Sequence, residues 1–122
     1  MKVLVIDDEK DMRENISSIL KKNGYKPVTT DNVKDAEDLI RTKKWDLIIS
    51  DVMIPHLGGF ELVDLIKEVS PKTPVIVITG MDKDILGVTL TDADTVLTKP
   101  FTSKQLSDAV GKLTRQSIKS EV

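Results

Sequence analysis

Apolar residues fall along this chain in two alternating rhythms. The short runs Val3–Ile6, Leu47–Ile49 and Val75–Ile78 are rich in β-branched residues and have no polar interruption, the pattern of strands buried on both faces of a parallel sheet. Elsewhere apolar positions return every three or four residues, as at Met12, Ile16, Ile19 and Leu20, at Ala36, Leu39 and Ile40, at Phe60, Val63 and Ile66, and at Leu106, Val110, Leu113 and Ile118. That spacing places each set on one face of a helix. Tyr25 to Thr30 predicts a weaker strand, confined by Pro27 to a sheet edge, and Thr95 to Thr98 a modest last strand.

The polar punctuation agrees with this reading. Lys21 and Lys22 suit the last turn of the first helix, Gly24 suits a left-handed residue beyond it, Asn32 can cap the second helix, and Thr102 or Ser103 the last. From Met81 to Asp92 the helical signal weakens, because Gly87, Thr89 and Thr91 are poor helix formers and only Ile85, Val88 and Leu90 could line a face. A short or frayed helix is expected there. Five strands alternating with five helices predict a single α/β domain over 1–122, built on a parallel sheet with right-handed crossovers and helices on both faces. Residues 117–122 read as a polar tail or the start of a linker.

Composition narrows the function. A chain of 122 residues can bury roughly two thirds of its unfolded surface without staples. The absence of cysteine excludes disulfides and thiolate metal sites. A net charge of −2, with acids and bases interspersed, gives no footprint for direct nucleic-acid or membrane binding. The apolar start Met1–Ile6 is too short for a signal peptide or a span, so a cytoplasmic location is expected.

The chemistry collects where the strands end. Leu47–Ile49 runs into Asp51, with Pro55, Gly58 and Gly59 turning the chain soon after. Val3–Ile6 runs into Asp7 and Asp8, Val75–Ile78 into Thr79 and Gly80, and the last strand into Lys99 and Pro100. In a parallel sheet these carboxyl ends share one rim, where open α/β sheets bind ligands. Three carboxylates there repel one another unless a cation joins them. Oxygen ligands without His or Cys make Mg²⁺ the physical choice. Its open coordination positions could take a phosphoryl oxygen, with Lys99 and the Thr79 hydroxyl on the others and Asp51 as nucleophile, forming an acyl phosphate.

The ordered set Asp7-Asp8, Asp51, Pro55 with Gly59, Thr79-Gly80 and Lys99-Pro100 resembles the response-regulator receiver domains of two-component signalling. The resemblance covers nearly the whole chain. It implies a flavodoxin-like (βα)5 fold of strand order 2-1-3-4-5, and phosphorylation of Asp51 by a sensor histidine kinase or phosphotransfer protein. It further implies Mg²⁺ held by Asp8, Asp51 and the backbone carbonyl of Met53, with Asp7 acting through water. Thr79 and Lys99 would contact the phosphoryl group, and the peptide bond before Pro100 would be cis. The expected assembly is a monomer or weak dimer acting on a partner or output domain.

Two departures stand out. Receivers place an aromatic three residues before the lysine, where it moves with the threonine as a switch; here the pair is Thr79 and Val96, and valine has no ring to swing. Met53 and Met81 take places where relatives often carry polar groups that position water, so a long-lived acyl phosphate is expected. The competing reading is a small Mg²⁺-dependent phosphatase with an aspartate nucleophile, but such sites carry a second acid where this chain has Met53. Taken singly, Asp7 and Asp8 could be helix caps, Asp51 a turn residue and His56, the one histidine, a solvated loop residue. Their convergence on one rim is what favours the functional reading.

Overall fold

In the computed structural model, residues 1–51, 59–80 and 94–119 are described; the side chains of 59–61 and 115–119 fall outside that description, and with them Phe60 and Ile118. Met53, Pro55, His56, Met81 and the weak helix expected over 81–92 also lie outside the described residues. The remainder is built of β1 (Lys2–Ile6), α1 (Lys10–Lys22), β2 (Lys26–Thr30), α2 (Val33–Thr42), β3 (Leu47–Asp51), α3 (Gly59–Val69), β4 (Val75–Thr79), β5 (Thr95–Thr98) and α4 (Ser103–Lys119). All strands are parallel, as the alternating rhythms predict, and their order β2-β1-β3-β4-β5 is the one that the resemblance implies. α4 runs to Lys119, so the first three residues of the expected polar tail are helical.

The two faces of the sheet are written in its period of two. Leu4, Ile6, Ile48, Val75 and Val77 point to one side and join Ala36 and Ile40 of α2 with Leu62, Val63 and Ile66 of α3. Val3, Val5, Leu47, Ile49, Ile76 and Ile78 point to the other and join Ile16, Ile19 and Leu20 of α1 with Leu106 and Val110 of α4. β1, β3 and β4 are buried along their apolar lengths because both faces are covered. The edge strand β2 is mostly exposed and carries Pro27, where a missing amide donor costs little. Trp45 closes the α2 side, with its indole N–H donated to the Leu39 carbonyl at 3.0 Å.

Local chemistry fixes the helix ends. The Asn32 side chain accepts the Asp35 amide at 2.8 Å to start α2. At α4, Thr102 rather than Ser103 is the cap: its hydroxyl accepts the Gln105 amide while the Gln105 side chain accepts the Thr102 amide, a reciprocal capping box. Beyond α1, Gly24 has φ +85°, a left-handed conformation that glycine adopts without steric cost.

Candidate functional site

The sheet register brings the strand ends level. Ile6 pairs with Ser50, Asp51 with Ile78 and Thr79 with Thr98, so the residues that follow emerge along one rim. Asp7 continues β1 by donating its amide to the Thr30 carbonyl at 3.1 Å. Lys99 continues β5 by donating its amide to the Thr79 carbonyl at 2.7 Å. Pro100 follows through a cis peptide bond.

The acids meet where the register delivers them. Carboxylate oxygens of Asp7, Asp8 and Asp51 all lie within 4.8 Å of one another. Asp7 and Asp51 are almost wholly enclosed, at 1% and 2% exposure, whereas Asp8 faces solvent. Lys99 reaches across from the end of β5 and donates through Nζ to Asp51 Oδ2 at 2.9 Å. Thr79 is fully buried beside it and Val96 is half-buried against the α2–α3 side of the sheet. Among the site residues expected from sequence, Asp7, Asp8, Asp51 and Lys99 are brought together and Thr79 ends the strand beside them, whereas Val96 lies in mid-strand opposite Val77 and Met53 lies outside the described residues.

Asp7 is the most unusual of the group. Its Oδ1 accepts the Glu9 amide at 2.8 Å, while Oδ2 is buried with no hydrogen-bond partner among the described residues. Burial pushes its carboxyl up from 3.8 to about 6; the Glu9 amide and Lys99 work against that rise, and the charges of Asp51 and Asp8 add to it. For Lys99, burial lowers the pKa, but the hydrogen bond and charge of Asp51, with Asp7 and Glu9, outweigh it and the net direction is upward. An orphaned carboxylate oxygen beside two more carboxylates suits a hard cation or its coordinated water. The donor set therefore fits Mg²⁺.

Two contributors were not singled out from sequence. The Glu9 amide holds Asp7, and Arg13 Nη1 donates to the Asp7 carbonyl at 2.9 Å. Arg13 lies six residues beyond Asp7 in the first turns of α1, and helical side chains lean toward the helix N-terminus. That lean was the available signal.

Comparison with known proteins gives a consistent result. Residues 3–111 match the family described as the response regulator receiver domain. The chain is 32% identical over 119 residues to the alkaline phosphatase synthesis transcriptional regulatory protein PhoP of Bacillus subtilis, covering 95% of this chain and 49% of that protein. It is equally 32% identical to the transcriptional regulatory protein DltR of Streptococcus agalactiae, covering 96% of this chain and 53% of the other. The chain thus spans about half the length of these curated relatives. Among solved structures, the beryllofluoride-activated NtrC4 receiver domain dimer superposes with a TM-score of 0.88 at 33% identity, over 94% of this chain and 97% of that one. The response regulator TrrA of Thermotoga maritima in complex with Mg²⁺ and BeF gives 0.85 at 28% identity, over 92% and 97%. No helix among the described residues is long and apolar enough to cross a membrane. The protein accordingly belongs to the response regulator receiver domains: it is a phosphoacceptor of a two-component system, a signalling protein rather than a turnover enzyme.

Proposed function

We propose that Asp51 is the phosphoacceptor and that its phosphorylation is this domain's signal. The supporting observation is the enclosure of Asp51 between the Asp7 and Asp8 carboxylates and the Lys99 ammonium, 2.9 Å away. Asp8 and Asp51, with the Met53 carbonyl, would hold Mg²⁺ directly and Asp7 through water. When bound, the ion supplies neutralising charge and open positions for phosphoryl oxygens.

The donor is the phosphohistidine of a sensor histidine kinase or phosphotransfer protein. A carboxylate oxygen of Asp51 attacks phosphorus, the P–N bond breaks, and the imidazole nitrogen leaves and takes a proton. Lys99 Nζ follows the charge from Asp51 onto a phosphoryl oxygen, and the Thr79 hydroxyl donates to another. The product adds roughly −1.5 to −2 charge at the rim and biases an existing conformational equilibrium. Because Val96 lacks a ring, that bias passes through Thr79, Lys99 and their backbone link rather than through an aromatic rotamer. A net charge of −2 with acids and bases interspersed does not favour nucleic acid as the direct target, so in this reading the domain contributes its phosphorylated state to a partner or output domain.

Incubation with acetyl phosphate and Mg²⁺ followed by mass spectrometry tests the proposal. One added phosphate, absent in Asp51→Asn and absent under EDTA, is expected. Unchanged labelling of Asp51→Asn would overturn it. Repeated turnover of a phosphate ester would favour the phosphatase reading instead.

A further inference from the structure

Beyond the phosphoacceptor rim, the solvent face of α1 and the exposed edge residue Thr29 of β2 form an open groove of ≈ 470 Å³. Four of its lining residues, Lys10, Arg13, Lys21 and Lys22, are cationic and one, Glu14, is acidic, although the whole chain carries a net charge of −2. The groove is therefore a local inversion of the protein's charge. From Lys10 to Lys21 it follows roughly 17 Å of helix, at about 1.5 Å per residue. Ser17, Ser18 and Thr29 add hydroxyls between the cationic ends. Glu14 does little to quench it, since its pair with Lys10 spans 4.0 Å with both side chains well exposed.

We infer that this groove docks an acidic polypeptide segment of a partner protein, and that Arg13 connects its occupancy to the metal-binding rim. An elongated polar track with cations at both ends matches a run of carboxylates. It does not match the mostly apolar pockets that enclose small ligands, and it has no aromatic residue on which nucleic-acid bases could stack. Arg13 lines the groove and also donates through Nη1 to the Asp7 carbonyl. Its remaining N–H donors can take a carboxylate. That carboxylate neutralises a positive charge beside the three acids, so filling the groove strengthens cation binding at the rim, and by linkage the cation strengthens filling of the groove.

The docking itself is independent of Asp51 phosphorylation; only the connection through Arg13 rests on the proposed metal site. The test is a heteronuclear NMR titration of the whole chain with an oligoglutamate peptide long enough to span the groove, at low ionic strength. Oligolysine and oligothymidylate of equal length serve as comparison probes. Saturable shifts at the amides of Lys10, Ser17, Lys21 and Thr29 are expected. Added salt should weaken them, as it screens exposed charges, and affinity should fall about tenfold, near 1.4 kcal/mol, in Lys21→Glu/Lys22→Glu. The charge-neutral Lys21→Gln/Lys22→Gln should show a smaller loss, and both variants should accept phosphate from acetyl phosphate as the wild type does. No shift with oligoglutamate, or shifts indifferent to the double reversal, overturns docking; tighter binding of oligothymidylate overturns the polypeptide assignment. Mg²⁺ affinity that rises with peptide in the wild type but not in Arg13→Gln supports the connection. Equal response in both overturns it. Failure of acetyl phosphate to label Asp51 with docking intact would count against the phosphoacceptor proposal alone.

Discussion

Asp7 divides its two oxygens between tasks that are usually kept on separate residues. Oδ1 holds the turn into α1 by accepting the Glu9 amide, while Oδ2 is buried without a hydrogen-bond partner among the described residues. The Glu9 amide belongs to the residue that precedes α1, so this contact shapes the turn into the helix without capping the helix itself, and the second oxygen is left for the metal site proposed above. Its carboxyl titrates near 6 in the fold against an ordinary 3.8, so between those values the folded chain holds more protons than the unfolded one. Stability from this residue is thus complete below the lower value and is lost as pH rises through the upper. A shift from 3.8 to about 6 corresponds to an upper bound of about 3 kcal/mol. Without divalent cations at pH well above 6, Asp7→Asn should be more stable than the wild type by up to that amount in urea unfolding. The advantage should vanish at pH below 3.8 and narrow when Mg²⁺ is added. A less stable Asp7→Asn at high pH would contradict this account. Asp51 and Lys99 were legible as site residues only as members of a set, because strand ends of a parallel sheet share one rim with Asp7, Asp8 and Thr79; taken singly, an acid in a turn or a lysine before a proline is ordinary. Arg13 was not, because an arginine on an exposed helix face is ordinary until its partner is known.

At the scale of elements, the caps and core faces set the strength of each helix. Asn32 accepts the Asp35 amide and also donates to the Asp35 carboxylate, so Asn32→Ala should cost about 1 kcal/mol in chemical denaturation. Ile16 is fully enclosed between the sheet and its own helix face, and Ile16→Ala should cost about 2–5 kcal/mol through the cavity left behind. The apolar spacing of α1, α2 and α4 showed which faces turn inward, because 3.6-residue periodicity survives in the sequence. It did not show Leu62, buried beside Val63 on α3, nor Thr114, a buried polar residue whose hydroxyl meets Tyr25 Oη at 2.8 Å. A polar residue on an inward face has no apolar signal, and its partner is 89 positions away.

For the whole molecule, the cation site proposed above would make the fold and cation binding interdependent, because it is built of three crowded carboxylates that only the fold brings together. A ligand held only by the folded state adds stability with its concentration, about 2.7 kcal/mol at a hundredfold excess over Kd. Thermal unfolding should therefore shift upward with Mg²⁺ and return with EDTA, and Asp8→Ala should lose most of that shift while folding normally. An equal Mg²⁺ response in Asp8→Ala would show that the cation acts elsewhere. The receiver assignment rests at this scale as well: the family match over residues 3–111 and the strand order β2-β1-β3-β4-β5 are properties of the entire chain.

What the amino-acid order determined by itself was local: where apolar runs stop, which faces of helices turn inward, and that four of the five strands run into a polar or charged residue with chemistry to offer. Those features follow from periodicity, turn chemistry and the expense of burying charge, all of which act over a few neighbouring residues. What only tertiary structure decided was distance. Residues 7, 51 and 99 become neighbours because parallel pairing sets the strand ends level. The reach of Lys99 to Asp51, 48 positions away, and the burial of Asp7 Oδ2 with no hydrogen-bond partner among the described residues depend on contacts that no local pattern encodes.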